Sequence, residues 1–78
     1  MKVRDEVVKI MAEILEVDES KLEDDTAIGD LDNWDSLHHL SIISAIEKKF
    51  DIRFTPDVLM DLEDVSDIVK AVEDRVDA

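Results

Sequence analysis

The residues best able to do chemistry lie together in one run, Asp35-Ser36-Leu37-His38-His39. A serine, two histidines and nearby acids are the components of a nucleophilic triad, but their spacing defeats it. Ser36 and His38 are two positions apart on what reads as one helix, so their side chains diverge. A triad also needs a cleft and an oxyanion hole, for which 78 residues leave little room. Adjacent histidines on a helix point about 100° apart and do not form a metal pair. A calcium loop fares little better. With Gly29 as its glycine, Asp24, Thr26 and Ile28 fall at ligand positions and Asp35 at the last one. Ile28 offers no side-chain oxygen and Asp35 replaces the bidentate Glu, so weak divalent association is expected but no dedicated metal site. What remains is a serine hydroxyl in the first turn of a helix, directly after a long polar loop. The free first-turn N–H groups and the helix dipole favour an anion there. A phosphodiester on Ser36 gains about 0.3–1 kcal/mol at an exposed position of this kind. Taken alone, Asp35-Ser36 is also an ordinary helix start.

The elements that must position this run follow from apolar spacing. Val3, Val7, Ile10, Met11 and Ile14 recur at helical intervals with Leu15 beside them, which predicts a first helix over about residues 3–16. From Val17 to Asp35 the periodicity fails, and Leu22, Ile28 and Leu31 are expected as single anchors on the core. A loop this long in so small a domain is expected to be functional or locally ordered. Asp35 is a plausible N-cap for a second helix over residues 36–50. Its core side is expected to hold Leu40, Ile43, Ala45, Ile46 and Phe50, with Ile42 adjoining. Thr55-Pro56-Asp57 combines a hydroxyl cap, Pro at the first helical position and an early acid. It predicts a short third helix through about Asp61, buried through Leu59 and Val58. Asp64 then starts a last helix with Val65, Ile68, Val69, Val72 and Val76 on one face. The expectation is one all-α domain over residues 1–78, with three long helices in a bundle and the short third across one end.

Composition narrows the function classes. There are 22 acidic residues against 9 basic ones, a net charge of −13. That argues against binding phosphate backbones or an anionic membrane surface and favours basic protein partners. High charge can signal disorder, but Val, Ile and Leu together make 24 of the 78 residues, enough for a core. With no cysteine, disulfides, Cys-based zinc sites and Cys nucleophiles are excluded. No apolar run approaches a membrane span and no signal-peptide core is visible, so the expected location is the cytoplasm and membrane insertion is not expected.

The whole chain resembles an acyl carrier protein. The resemblance runs through helix I (Val7, Lys9, Ile10, Glu13, Leu15, Val17), the acidic loop, Asp35-Ser36-Leu37, and Ala45-Ile46-Glu47 to Phe50-Asp51-Ile52, then through Pro56 to the last helix. Asp-Ser-Leu alone is a weak motif; mid-chain, at the start of helix II of a short acidic four-helix pattern, it is a strong one. The resemblance implies a non-enzymatic carrier. Ser36 is expected to bear 4′-phosphopantetheine, donated by coenzyme A through a phosphopantetheinyl transferase. Asp35 would help that transferase hold its magnesium and coenzyme A, and Leu37 would be a hydrophobic contact. The thiol of the arm holds acyl cargo as a thioester, in fatty-acid, polyketide or other specialised acyl biosynthesis. Expected partners are the transferase and acyl-loading and acyl-processing enzymes with basic surfaces, met by a monomer. In many members an apolar slot takes the chain; here Ile43, Ile46, Phe54, Leu59, Leu62 and Ile68 either part to form one or make a solid core.

The departures from the family pattern are specific. Fatty-acid-type carriers usually have acids along helix II, where this chain has His38, His39, Ser41, Lys48 and Lys49, and Ser44 replaces a larger apolar contact. Residues 17–35 sum to −7, eight acids against Lys21, while residues 36–50 sum to +1, Glu47 against Lys48 and Lys49. Asn33-Trp34 before the serine points to a specialised carrier. Partner contacts are expected from Trp34, Leu37, His38, Leu40, Ser41 and Ser44; Trp is common in interface anchors. For Trp34 the other reading is a ring folded back on Leu31 or Leu37; for His38, a hydrogen bond to a Ser36 phosphate or a plain solvated surface. Two further readings stand beside the acyl carrier: an aminoacyl or peptidyl carrier, and an unmodified acidic interaction module on the same fold.

Overall fold

The structure, a computed structural model, describes residues 2–76. Four α-helices follow in order: α1 (Val3–Leu15), α2 (Ser36–Phe50), α3 (Pro56–Asp61) and α4 (Val65–Val76), with a single 3-10 turn at Glu19–Lys21. Among the described residues there is no strand, only an isolated bridge between Ala27 and Asp64. The all-helical expectation is met, and α2 begins and ends where the sequence places it.

Helix α1 is the central element and packs against both α2 and α4. It buries Val7, Val8, Met11, Ala12 and Leu15, α2 buries Ile42, Ile43 and Ile46, and α4 buries Val65, Ile68, Val69, Ala71 and Val72. Each set recurs at three- and four-residue spacing, so each helix turns one apolar stripe inward. Removing these side chains from water is the main stabilising contribution, about 1.5–3 kcal/mol for each large one.

The ends of α1 and α2 share a design. Glu16 and Asp51 take left-handed backbone conformations, φ 57° and 55°. The N–H of the following residue returns to the helix, Val17 to the Ala12 carbonyl at 3.1 Å and Ile52 to the Glu47 carbonyl at 3.0 Å. This places Glu16 just outside α1, one residue short of the expected boundary. An acid rather than glycine at both positions carries some backbone strain.

The acidic loop is ordered by hydrogen bonds to the start of α4. Val65 N–H donates to the Thr26 carbonyl and Ser66 N–H to the Asp24 carbonyl, both at 3.0 Å, and Ile28 N–H donates to Glu63 at 2.8 Å. Loop carbonyls thus satisfy first-turn amides of α4 that have no partner inside the helix. Leu22 is buried, while Ile28 and Leu31 are partly buried against the core, so all three anchors are present. Asn33 Nδ2 donates to the Leu15 carbonyl at 2.8 Å and fastens the loop to the end of α1.

Four details differ from the sequence expectation. Leu40 is 62 % exposed rather than on the core side, because the inward stripe of α2 runs through Ile42, Ile43 and Ile46. Thr55 precedes α3 but makes no side-chain cap. Val58 and Leu59 are only partly buried, since a six-residue helix has too little length to turn a full face inward. Val76, the last residue of α4, is exposed rather than on the inward face.

Candidate functional site: the first turn of α2

Ser36 is the first residue of α2 and is exposed. Asp35 caps the helix: its Oδ1 accepts the His38 N–H at 2.9 Å, and its carbonyl accepts the His39 N–H at 2.9 Å. The remaining first-turn amides, those of Ser36 and Leu37, have no protein acceptor among the described residues. They stand at the positive end of the helix dipole beside the serine hydroxyl. An anion held on Ser36 Oγ therefore meets free N–H donors and favourable potential. No acid lies in the first turn of α2, and Lys48 and Lys49 sit in its last turn, where the dipole favours cations.

The His38 ring turns back to Asp35, with Nδ1 2.9 Å from Oδ1. The backbone N–H and then the ring of His38 hold the Asp35 carboxyl below its ordinary value of 3.8. Asp35 is thus ionised at neutral pH and exposed. The group that the sequence expectation places on Ser36 fits this site: an exposed hydroxyl, two free amides, and nothing buried that the arm would displace.

Leu37 and Leu40 are 73 % and 62 % exposed, and Ser41 and Ser44 are exposed one turn further on. With i, i+3 and i, i+4 spacing they form one stripe that continues from Ser36. The stripe carries no charge. The structure thus brings Ser36, Leu37, Leu40, Ser41 and Ser44 onto one solvent face, with half-buried His38 at its edge.

Trp34 does not belong to that face. Its side chain is 1 % exposed, one of the most buried in the protein. The expected role as a partner contact is therefore corrected. The indole Nε1–H donates to His39 Nδ1 at 3.0 Å, and the two rings stack with centroids 6.0 Å apart. His39 must therefore be neutral, with the proton on Nε2, because a protonated Nδ1 cannot accept. Burial lowers its pKa below 6.5, and the nearby Leu62 backbone carbonyl partly offsets this by favouring the charged ring. Sequence reasoning missed this pairing. The available signal was a tryptophan in a polar loop with a histidine five residues on, the only polar residue at the head of the inward stripe of α2.

Among the described residues no group of three or more His, Cys, Asp or Glu side chains is placed to hold a metal ion. The calcium-loop residues do not converge: Thr26 Oγ1 accepts the Glu23 N–H and Asp24 pairs with Arg4. Among the described residues no helix is long and apolar enough to cross a membrane.

The chain is similar to known proteins along nearly its whole length. Residues 5–72 match the family described as "Phosphopantetheine attachment site". An acyl carrier protein of Phenylobacterium zucineum (strain HLK1) is 32 % identical over 76 residues, covering 97 % of this chain and 96 % of the relative. The solution structure of a holo acyl carrier protein from Geobacter metallireducens superposes with a TM-score of 0.87 at 28 % identity, covering 99 % of this chain and 88 % of that one. The fold, the exposed serine at a helix start and these likenesses together place the chain in the acyl carrier protein family, whose members carry acyl groups on a covalently attached phosphopantetheine and are not enzymes.

Proposed function

We propose that Ser36 is the residue that takes the phosphopantetheine arm and that this carrier serves a specialised acyl pathway rather than general fatty-acid synthesis. The first turn of α2 is the observation that supports the attachment residue: an exposed serine hydroxyl beside two free amides and an ionised Asp35. In the transfer, Ser36 Oγ forms a new bond to the phosphorus that bears the pantetheine, the P–O bond of the coenzyme A pyrophosphate breaks, adenosine 3′,5′-bisphosphate departs, and the hydroxyl proton passes to a base of the transferase. Asp35 is placed to share the transferase's magnesium, and Leu37 to seat in an apolar pocket of the partner.

The specialised role rests on charge. The exposed face of α2 carries no acid, and its first acid, Glu47, is occupied in accepting the Phe54 N–H at 2.9 Å. Basic partner surfaces are therefore met by the loop of residues 17–35, where eight acids oppose Lys21. Enzymes that read acids along helix II find Leu37, Leu40, Ser41 and Ser44 instead. The place of action is the cytoplasm, where coenzyme A and its transferases operate.

The test is transfer in vitro with coenzyme A, Mg²⁺ and several broad-specificity phosphopantetheinyl transferases. The expected result is the gain of one phosphopantetheine mass, abolished by Ser36→Ala. Gain of mass by the Ser36→Ala protein, or no gain with any transferase, contradicts the assignment.

A further inference from the structure

The inward stripe of α2 lies next to Ser36 in the sequence, and an acyl chain on a Ser36-linked arm that followed it would run into the core. That stripe begins at His39 and continues through Ile42, Ile43 and Ile46. The residues that a sequestered chain would have to part are already close-packed: Ile46 and Ile68 are 0 % exposed, Ile43 3 %, Leu62 6 % and Phe54 7 %. At the head of the stripe stands the Trp34–His39 pair. The indole closes it from the loop side through the 3.0 Å hydrogen bond to His39 Nδ1. The loop and α2 are thus joined at the head of the stripe, three residues on from Ser36.

We propose that Trp34 and His39 are specificity-determining residues that bar the acyl chain from the protein interior, so that this carrier displays its cargo in solvent. For a chain to enter, the indole hydrogen bond must break and a ring that is 1 % exposed must move. A carrier built this way handles short or polar acyl groups, which need no apolar shelter. Long alkyl groups gain nothing from it, because their apolar surface stays in water. The inference rests on the attachment to Ser36 proposed above.

The experiment loads the full chain with butanoyl, octanoyl or tetradecanoyl phosphopantetheine from the corresponding acyl-coenzyme A, with a broad-specificity transferase. Intact mass confirms loading before anything else is measured. Urea midpoints are then compared with the holo form, and thioester cleavage by hydroxylamine is timed. A chain that binds inside only the folded state raises the midpoint and slows cleavage in proportion to its binding constant. The expected wild-type result is no rise in midpoint with chain length and cleavage rates within about twofold of one another. In His39→Ala and Trp34→Phe the bar is weakened, and the octanoyl form is expected to rise in midpoint above its own holo form. His39→Ala retains the indole and Trp34→Phe retains a ring, so a folding failure of one leaves the other to decide. A wild-type midpoint that climbs from butanoyl to tetradecanoyl overturns the proposal. So does a pair of variants in which chain length has no more effect than in wild type. Failure to load is seen in the mass alone; it refutes the attachment residue, and the proposal falls with it.

Discussion

Replacing His39 with leucine isolates the internal bond at the head of α2. The change keeps roughly the volume of the side chain but removes the acceptor for Trp34 Nε1–H, which bonds to His39 Nδ1 at 3.0 Å. With the indole 1 % exposed, water cannot replace the lost partner without local opening. An orphaned buried donor costs about 1–3 kcal/mol. Taking about 2 kcal/mol, and about 4–8 °C per kcal/mol for a domain of this size, the melting temperature falls by about 8–16 °C. Trp34→Phe removes the donor instead and leaves the imidazole nitrogen half-buried. In the double variant both polar groups are gone, and the loss is smaller than the sum of the single losses by about 1–2 kcal/mol. The assay is thermal and urea unfolding of the four proteins followed by circular dichroism. Strict additivity, or a His39→Leu protein as stable as wild type, refutes the reasoning.

Three other predictions follow from the same geometry. Burial lowers the His39 pKa, so the unfolded chain binds the proton more tightly; stability is full above pH 6.5 and falls as pH drops through 6.5 towards the depressed value, a slope that His39→Leu flattens in urea titrations across pH. Asp35→Asn keeps a cap acceptor but removes the charge, so its melting temperature stays near wild type while phosphopantetheine transfer slows; Asp35→Ala loses both. Asp51→Gly relieves a φ of 55° at the end of α2, a relief that outweighs the added chain entropy, and raises stability by about 0.5–1 kcal/mol in urea unfolding.

The limits of α2 were legible because Asp35 is a strong cap and the apolar residues keep helical spacing up to Phe50. Asp35-Ser36-Leu37 was legible as a seat for an anion for the same local reason. Leu40 was misplaced because α2 is apolar on two sides: Leu37 and Leu40 face solvent, while Ile42, Ile43 and Ile46 face the core. Hydrophobicity alone cannot tell a solvent-facing apolar pair from a packing face when both occur on one helix. Trp34 was misread because a loop has no periodicity to reveal which way a side chain points, and its partner His39 lies beyond the loop. The bonds from Val65 and Ser66 to Thr26 and Asp24 join segments about forty residues apart, a tertiary relation that local patterns do not carry. The αL ends at Glu16 and Asp51 were hidden because neither is glycine.

The measurement closest to the central claim is the intact mass of the protein isolated from its own cells, followed by fragmentation of the peptide that contains Ser36. The account predicts one phosphopantetheine on Ser36, with any acyl group visible as a further increment on the arm. A protein that is wholly unmodified in its source, or that bears the arm on another residue, contradicts it.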